Sequence, residues 1–213
     1  MEPSASTKEW ILVGPASSWQ IIAILSAYFL AAFVILPLIR RRAGTPNIRV
    51  AMSMHNASMA LFNAALGSLL LWNMNQAGYN WTGQSVQKST RWQQTSDAHE
   101  NEIAALLHWY FLSKIFELND IVFNVMRRRP KRFQINSQVY HHSTMVIMSW
   151  LAVKYLPGGS SAILSFINCT LHVIMYLHYI FSEARLLSRS PIFNNSVSKA
   201  VLTTCTFVSC AYF

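Results

Sequence analysis

The chain has 213 residues, 53% hydrophobic and 12% charged, where a soluble domain carries about a quarter charged residues. That balance excludes a water-solvated domain of ordinary composition and points to the bilayer as solvent, with length for about six helices and short loops in a single domain. The formal charge of +9 does not mark nucleic-acid binding, because the basic residues are divided among hydrophobic runs and no recognition motif accompanies them.

Residues 1–18 read as a lumenal N-terminal segment. The apolar run that follows starts too late, and lacks the basic head and small-residue cleavage site, to be a signal peptide. Apolar run length and flanking charge place spans at about 19–39, 49–72, 103–126, 137–155, 161–181 and 198–213. The expected fold class is therefore all-α, a polytopic membrane helix bundle over 1–213. Arg40, Arg41, Arg42 and Arg49 fall in the first loop, Arg127, Arg128, Arg129, Lys131 and Arg132 in the third, and Arg185, Arg189 and Lys199 in the fifth. These alternate loops hold twelve of the seventeen Lys and Arg, so the positive-inside rule puts the N-terminus in the endoplasmic reticulum lumen or its topological equivalent. The polar second loop contains Asn80-Trp81-Thr82, a glycosylation acceptor pattern on the expected lumenal side. The triplets at Asn168 and Asn194 fall in a span and on the cytosolic side. Cys169, Cys205 and Cys210 sit in apolar runs without paired spacing and read as packing residues.

The third span, HWYFLSKIFELNDIVFNVMRRR, sets Lys114, Glu117 and Asp120 in an otherwise apolar helix. An ionised side chain at helix centre costs about 2.5–3.5 kcal/mol on the lenient insertion scale, so three of them require partners or a function. Spacing i, i+3, i+6 on one helix puts them on one face. A structural ion pair with one leftover carboxylate is the plainer reading. The fourth span opens with QVYHH, where Gln138, His141 and His142 share a face of the first turn. In the fifth, Asn168, His172, Tyr176 and Tyr179 form a polar stripe, with His178 pointing elsewhere. A single intramembrane histidine is as readily a hydrogen-bonded packing residue; a pair beside an acidic face argues for chemistry. At 1.5 Å rise per residue, Asp120 lies about 9 Å from the cytosolic helix ends, Glu117 and His172 about 14 Å and His141 about 6 Å. One cavity open to the cytosol can hold them all. Neutral imidazoles oriented by carboxylates suit acyl transfer or proton abstraction.

Those residues resemble the ELO-type very-long-chain fatty acid elongases, 3-ketoacyl-CoA synthases of the endoplasmic reticulum. KIFELND is similar to the family's K-x-x-E-x-x-D, QVYHH to its H-x-x-H-H box, and NCTLHVIMYLHY to its N-x-x-x-H-x-x-M-Y-x-Y-Y, in that order. WLAVKYLPGGSS resembles a lumenal connector of many members, and His55-Asn56 also looks like the family. The resemblance implies a seven-span fold, of which about six spans are present here and the last ends the chain. It implies condensation of acyl-CoA with malonyl-CoA to 3-oxoacyl-CoA, releasing carbon dioxide and CoA, through an acyl-imidazole and with no metal or redox cofactor. It puts acyl transfer on His141, with His142, His172 and Gln138 beside it and Lys114, Glu117 and Asp120 polarising or positioning them. Asn168, Met175, Tyr176 and Tyr179 are then substrate-facing. The implied partners are membrane lipid, the two CoA esters, the ketoacyl reductase, dehydratase and enoyl reductase of the elongation cycle, and a second copy in a homodimer.

Several positions depart from the pattern. Gln138 stands where most members have His, a variant associated with some microalgal elongases of polyunsaturated chains. Gln keeps hydrogen bonding but holds no proton charge. Ile121 replaces a threonine and His178 a tyrosine, and the late T-x-x-Q-x-x-Q pattern falls on Thr203, Thr206 and Ser209, without its glutamines. A non-catalytic elongase-like protein is the principal alternative reading. A di-iron desaturase or hydroxylase needs about eight clustered histidines and is more remote, since this chain has seven, with His55, His99 and His108 scattered. Arg128, Arg129, Lys131 and Arg132 read mainly as a topology signal, and secondarily as contacts for the CoA phosphates.

Overall fold

The structure is a computed structural model that describes residues 18–44, 47–80, 95–126 and 132–183. All regular elements among them are helices: α1 (Ser18–Leu30), a π-helical segment (Ala31–Ile35), α2 (Leu36–Ala43), α3 (Arg49–Gln76), α4 (Thr95–Glu117), α5 (Asp120–Met126), α6 (Arg132–Tyr155) and α7 (Ser160–Glu183). Among the described residues three stretches, Ser18–Arg42, Arg49–Gln76 and Ser160–Phe181, are long and apolar enough to cross a membrane. The chain is an α-helical membrane protein. The expected sixth span at 198–213 lies outside the described residues.

Pro37 explains the π segment. Proline has no N–H and its ring collides with the carbonyl four residues back. The helix widens just before it, so that the Leu36 N–H bonds Ala31 O, a five-residue step that reseats the ladder. Pro37 then occupies the first turn of α2, where its missing donor is harmless.

The α3 helix packs along α7 more extensively than any other pair. It buries Met52, Asn56, Met59, Ala60, Asn63, Leu66, Gly67, Leu70, Asn73 and Met74, a stripe at helical spacing. Gly67 lets the helices close: a Cβ there would stand 3.4 Å from the Cys169 Cβ, the small-residue contact favoured between membrane helices. Cys169 is fully buried and unoxidised, a packing residue; Cys205 and Cys210 lie outside the described residues. Leu66, Leu70, Ile103, Leu107 and Met145 join α3, α4 and α6 in one apolar cluster. Ile21, Leu25 and Tyr28 of α1 pack on Phe111, Ile121, Val125, Val139 and Val146 in another. At the end opposite the site, the α6–α7 turn has Gly159 at φ +59° and its N–H donates to the Tyr79 hydroxyl at 2.9 Å, tying that turn to α3.

Two expectations need correction. The third span is not one helix from 103 to 126, because α4 ends at Glu117 and α5 begins at Asp120. Across the joint Leu118, Asn119, Ile121 and Val122 donate their N–H to the carbonyl three residues back, and the Asn119 side chain binds the Phe116 carbonyl at 3.0 Å. A 3₁₀-like turn eclipses residues three apart, so the joint ends the α-helical ladder while keeping Asp120 in line with Glu117. The fourth span also begins earlier, at Arg132, which puts Gln138, His141 and His142 in the second and third turns rather than the first.

Candidate active site

Three ionisable groups of this segment fall in two polar networks. In the first, Lys114 Nζ donates to Glu117 Oε1 at 2.7 Å, with both side chains essentially sealed from solvent. His172 Nδ1 of α7 stands 3.2 Å from the same oxygen. The ammonium also lies 4.7 Å above the Tyr110 ring, a cation–π contact strengthened by desolvation. A buried ion pair survives when further polar contacts take up its remaining capacity, and His172 and Tyr110 supply them.

The second network centres on Asp120. Its Oδ1 meets His55 Nε2 of α3 at 2.6 Å, and its Oδ2 accepts from the Tyr176 hydroxyl of α7 at 3.0 Å. His142 Nε2 of α6 lies 3.9 Å from Oδ2. The Gln138 amide nitrogen is 3.4 Å from His142 Nε2, and Gln138 Oε1 accepts from the Asn124 amide of α5. With Asn124 donating to the Gln138 oxygen, the Gln138 NH₂ faces His142, so His142 Nε2 is an acceptor and its proton belongs on Nδ1. One carboxylate thus joins α3, α5, α6 and α7.

His141 belongs to neither network. Its ring meets that of His142 at a 5.6 Å centroid separation and 67°, and its Nδ1 is buried with no hydrogen-bond partner among the described residues. Asn168 is buried one turn from His172. Met175 and Tyr176 pack on Met59 and Ala60 with Tyr179 against them, and Tyr179 meets the Tyr176 ring edge-on at 6.3 Å. Arg132 points elsewhere, into a groove shared with Arg40 and Arg41, while Arg128, Arg129 and Lys131 lie outside the described residues. Asn80 is exposed just beyond α3. Among the described residues no three His, Cys, Asp or Glu side chains are arranged to hold a metal ion.

His55, which the sequence marked only as resembling the family together with Asn56 and otherwise left among the scattered histidines without a role, belongs to the site. Its depth was the available signal: it lies six residues into α3, about 9 Å from the helix start, the same depth that the rise per residue gives Asp120. Asn124, which orients Gln138, carried no comparable signal, being one of several uncharged polar residues near a helix end.

The profile of the ELO family, GNS1/SUR4, matches residues 15–211. The chain belongs to this family. It is 32% identical to very long chain fatty acid elongase 4 of Homo sapiens over 163 residues, 76% of this chain and 49% of the relative. It is 31% identical to fatty acid elongase 6 of Leishmania major over 181 residues, 85% of this chain and 44% of the relative. With very long chain fatty acid elongase 2 of Mus musculus it shares 26% identity over 133 residues, 62% of this chain and 43% of the relative. The chain thus spans about half the length of the ELO relatives it matches. Both polar networks fall within the matched region.

Proposed function

We propose that this ELO-family chain carries the condensing site of a fatty acid elongase, joining an acyl-CoA to malonyl-CoA and releasing carbon dioxide and CoA as 3-oxoacyl-CoA forms. The observation that supports this most directly is the contrast among the histidines. His172 Nδ1 lies 3.2 Å from the Glu117 carboxylate and His142 Nε2 lies 3.4 Å from the Gln138 amide, whereas His141 makes neither kind of contact among the described residues. An imidazole that is not committed to a hydrogen bond keeps a lone pair for attack.

The chemistry balances as a ping-pong sequence. A neutral imidazole nitrogen of His141 attacks the thioester carbonyl, the carbon–sulfur bond breaks, and the leaving thiolate takes the proton the imidazole loses. Malonyl-CoA then loses its free carboxylate as carbon dioxide. The electron pair of that bond passes to the α-carbon, which attacks the acyl-imidazole carbonyl. Breaking the carbon–nitrogen bond returns His141, which is reprotonated from solvent. In this reading His142, His172, Lys114, Glu117, Asp120 and Gln138 fix tautomers and field, and Asn168, Met175, Tyr176 and Tyr179 line the acyl path. No metal or redox cofactor takes part.

Residence in the endoplasmic reticulum with a lumenal N-terminus, glycosylation at Asn80, a polyunsaturated acyl substrate and association with the reductases and dehydratase of the cycle belong to the same proposal. It rests on the charge pattern, the Gln138 variant and the names of the relatives. A non-catalytic elongase-like role is the second reading, favoured by Thr206 and Ser209 at the positions of two family glutamines. Expression in microsomes with labelled malonyl-CoA and a panel of acyl-CoAs separates the two, comparing wild type with His141→Ala and His172→Ala. Labelled 3-oxoacyl product that both variants lose supports condensation; no labelled product from any acyl-CoA overturns it.

A further inference from the structure

A second built feature lies where the π segment and α2 meet α5 and α6, at the basic ends of the helices. A groove of about 470 Å³ opens there, within the roughly 300–1,000 Å³ of small-molecule sites, and none of its walls belongs to the histidine–carboxylate networks. Its walls mix two chemistries, the basic Arg40, Arg41 and Arg132 and the apolar Phe33, Val125 and Ile135, with no carboxylate among the described lining residues. The π segment and Pro37 shape it, since both Phe33 and Pro37 are lining residues.

The guanidiniums of Arg41 and Arg132, brought to one groove from two helices, repel one another, and an anion placed between them removes that repulsion. Depth identifies the anion. Arg40 and Arg41 end an apolar stretch of 25 residues, which sets them at the headgroup boundary. Phe33, two turns deeper and 50% exposed, borders hydrocarbon. A ligand that meets both the arginines and Phe33 is an amphiphile with a phosphate at the interface and a chain directed inward, the form in which basic pockets between membrane helices take anionic lipids.

We infer that this groove is a binding site for an anionic membrane phospholipid, its phosphate held by Arg40, Arg41 and Arg132 and the start of one acyl chain laid along Phe33, Val125 and Ile135. The inference does not depend on the condensing activity. It gives Arg132 a lipid phosphate as its partner instead of the phosphates of CoA.

The test uses the purified full chain in nanodiscs, with lipid retention read by native mass spectrometry. Phosphatidic acid is compared with phosphatidylcholine, and free CoA is added as competitor. Wild type retains phosphatidic acid preferentially, and CoA does not displace it. Arg40→Gln and Arg132→Gln each weaken retention about tenfold, as expected for one charge-assisted contact. Ile135→Trp, which adds bulk at an apolar wall and leaves every charge, also weakens it. Equal retention of the two lipids, unchanged retention in the arginine variants, or displacement by CoA overturns the inference. The lipid comparison and the CoA competition need only the wild-type chain, so a variant that fails to fold does not blunt the test.

Discussion

His55 Nε2 on α3 lies 2.6 Å from Asp120 Oδ1 at the start of α5, a contact between residues 65 positions apart. Asp120 follows the 3₁₀-like joint at Leu118–Asn119 and meets groups from α3, α6 and α7 together. His55 is a positioning residue: it holds Asp120, which also receives Tyr176 and lies beside His142. His55→Ala is expected to lower kcat for condensation about tenfold to a hundredfold, the rate equivalent of one hydrogen bond to a charged group, about 1.5–3 kcal/mol, with little change in the KM for acyl-CoA. His55→Gln should restore part of the loss, because it keeps a hydrogen-bond donor. A purely structural role predicts instead that kcat follows the thermal stability of each variant.

The Lys114–Glu117 pair makes a stability prediction. Removing one partner leaves the other charge buried and uncompensated, and Lys114→Met is expected to destabilise the chain by about 3–5 kcal/mol. The double variant Lys114→Met with Glu117→Leu should recover most of that loss while remaining inactive. Thermal unfolding in detergent reads the first effect and product formation the second. A double variant no more stable than the single one contradicts this account of the pair.

Gln138 sets the tautomer of His142 through the Asn124–Gln138–His142 chain. Gln138→Leu should reduce turnover about tenfold or more, because His142 Nε2 loses its donor. Gln138→His, which can still donate, should retain most of it. Equal loss in both variants contradicts the tautomer argument.

Gly67 tests the close approach of α3 and α7. A single methyl fits at ordinary contact distance from Cys169, and alanine gains about 1 kcal/mol of helix propensity over glycine. Gly67→Ala is therefore neutral or stabilising, whereas Gly67→Leu should destabilise by about 1–3 kcal/mol through overpacking. Melting temperatures of the two variants in one detergent check the ordering.

Much of this arrangement was legible in the sequence. Intramembrane Lys, Glu, Asp and His are costly enough to stand out, and counting residues from the helix ends gave Glu117 and His172 the same depth; in the structure they touch. The break after Glu117 was not legible, because no proline or glycine marks it and its i→i−3 bonds are a backbone choice inside an apolar run. The separate partners of Asp120, on α3, α6 and α7, were not legible either, because they come from positions far apart in the chain. The early start of α6 was hidden for a different reason. Its first turns are polar and resemble loop, yet they continue the same hydrogen-bond ladder.

The measurement that bears most directly on the condensing site is peptide mass spectrometry of the chain incubated with acyl-CoA in the absence of malonyl-CoA. The account predicts an acyl group on the peptide containing His141, absent in His141→Ala, and discharged to 3-oxoacyl-CoA when malonyl-CoA is added. Product formation from a chain that never carries acyl on His141 would contradict it.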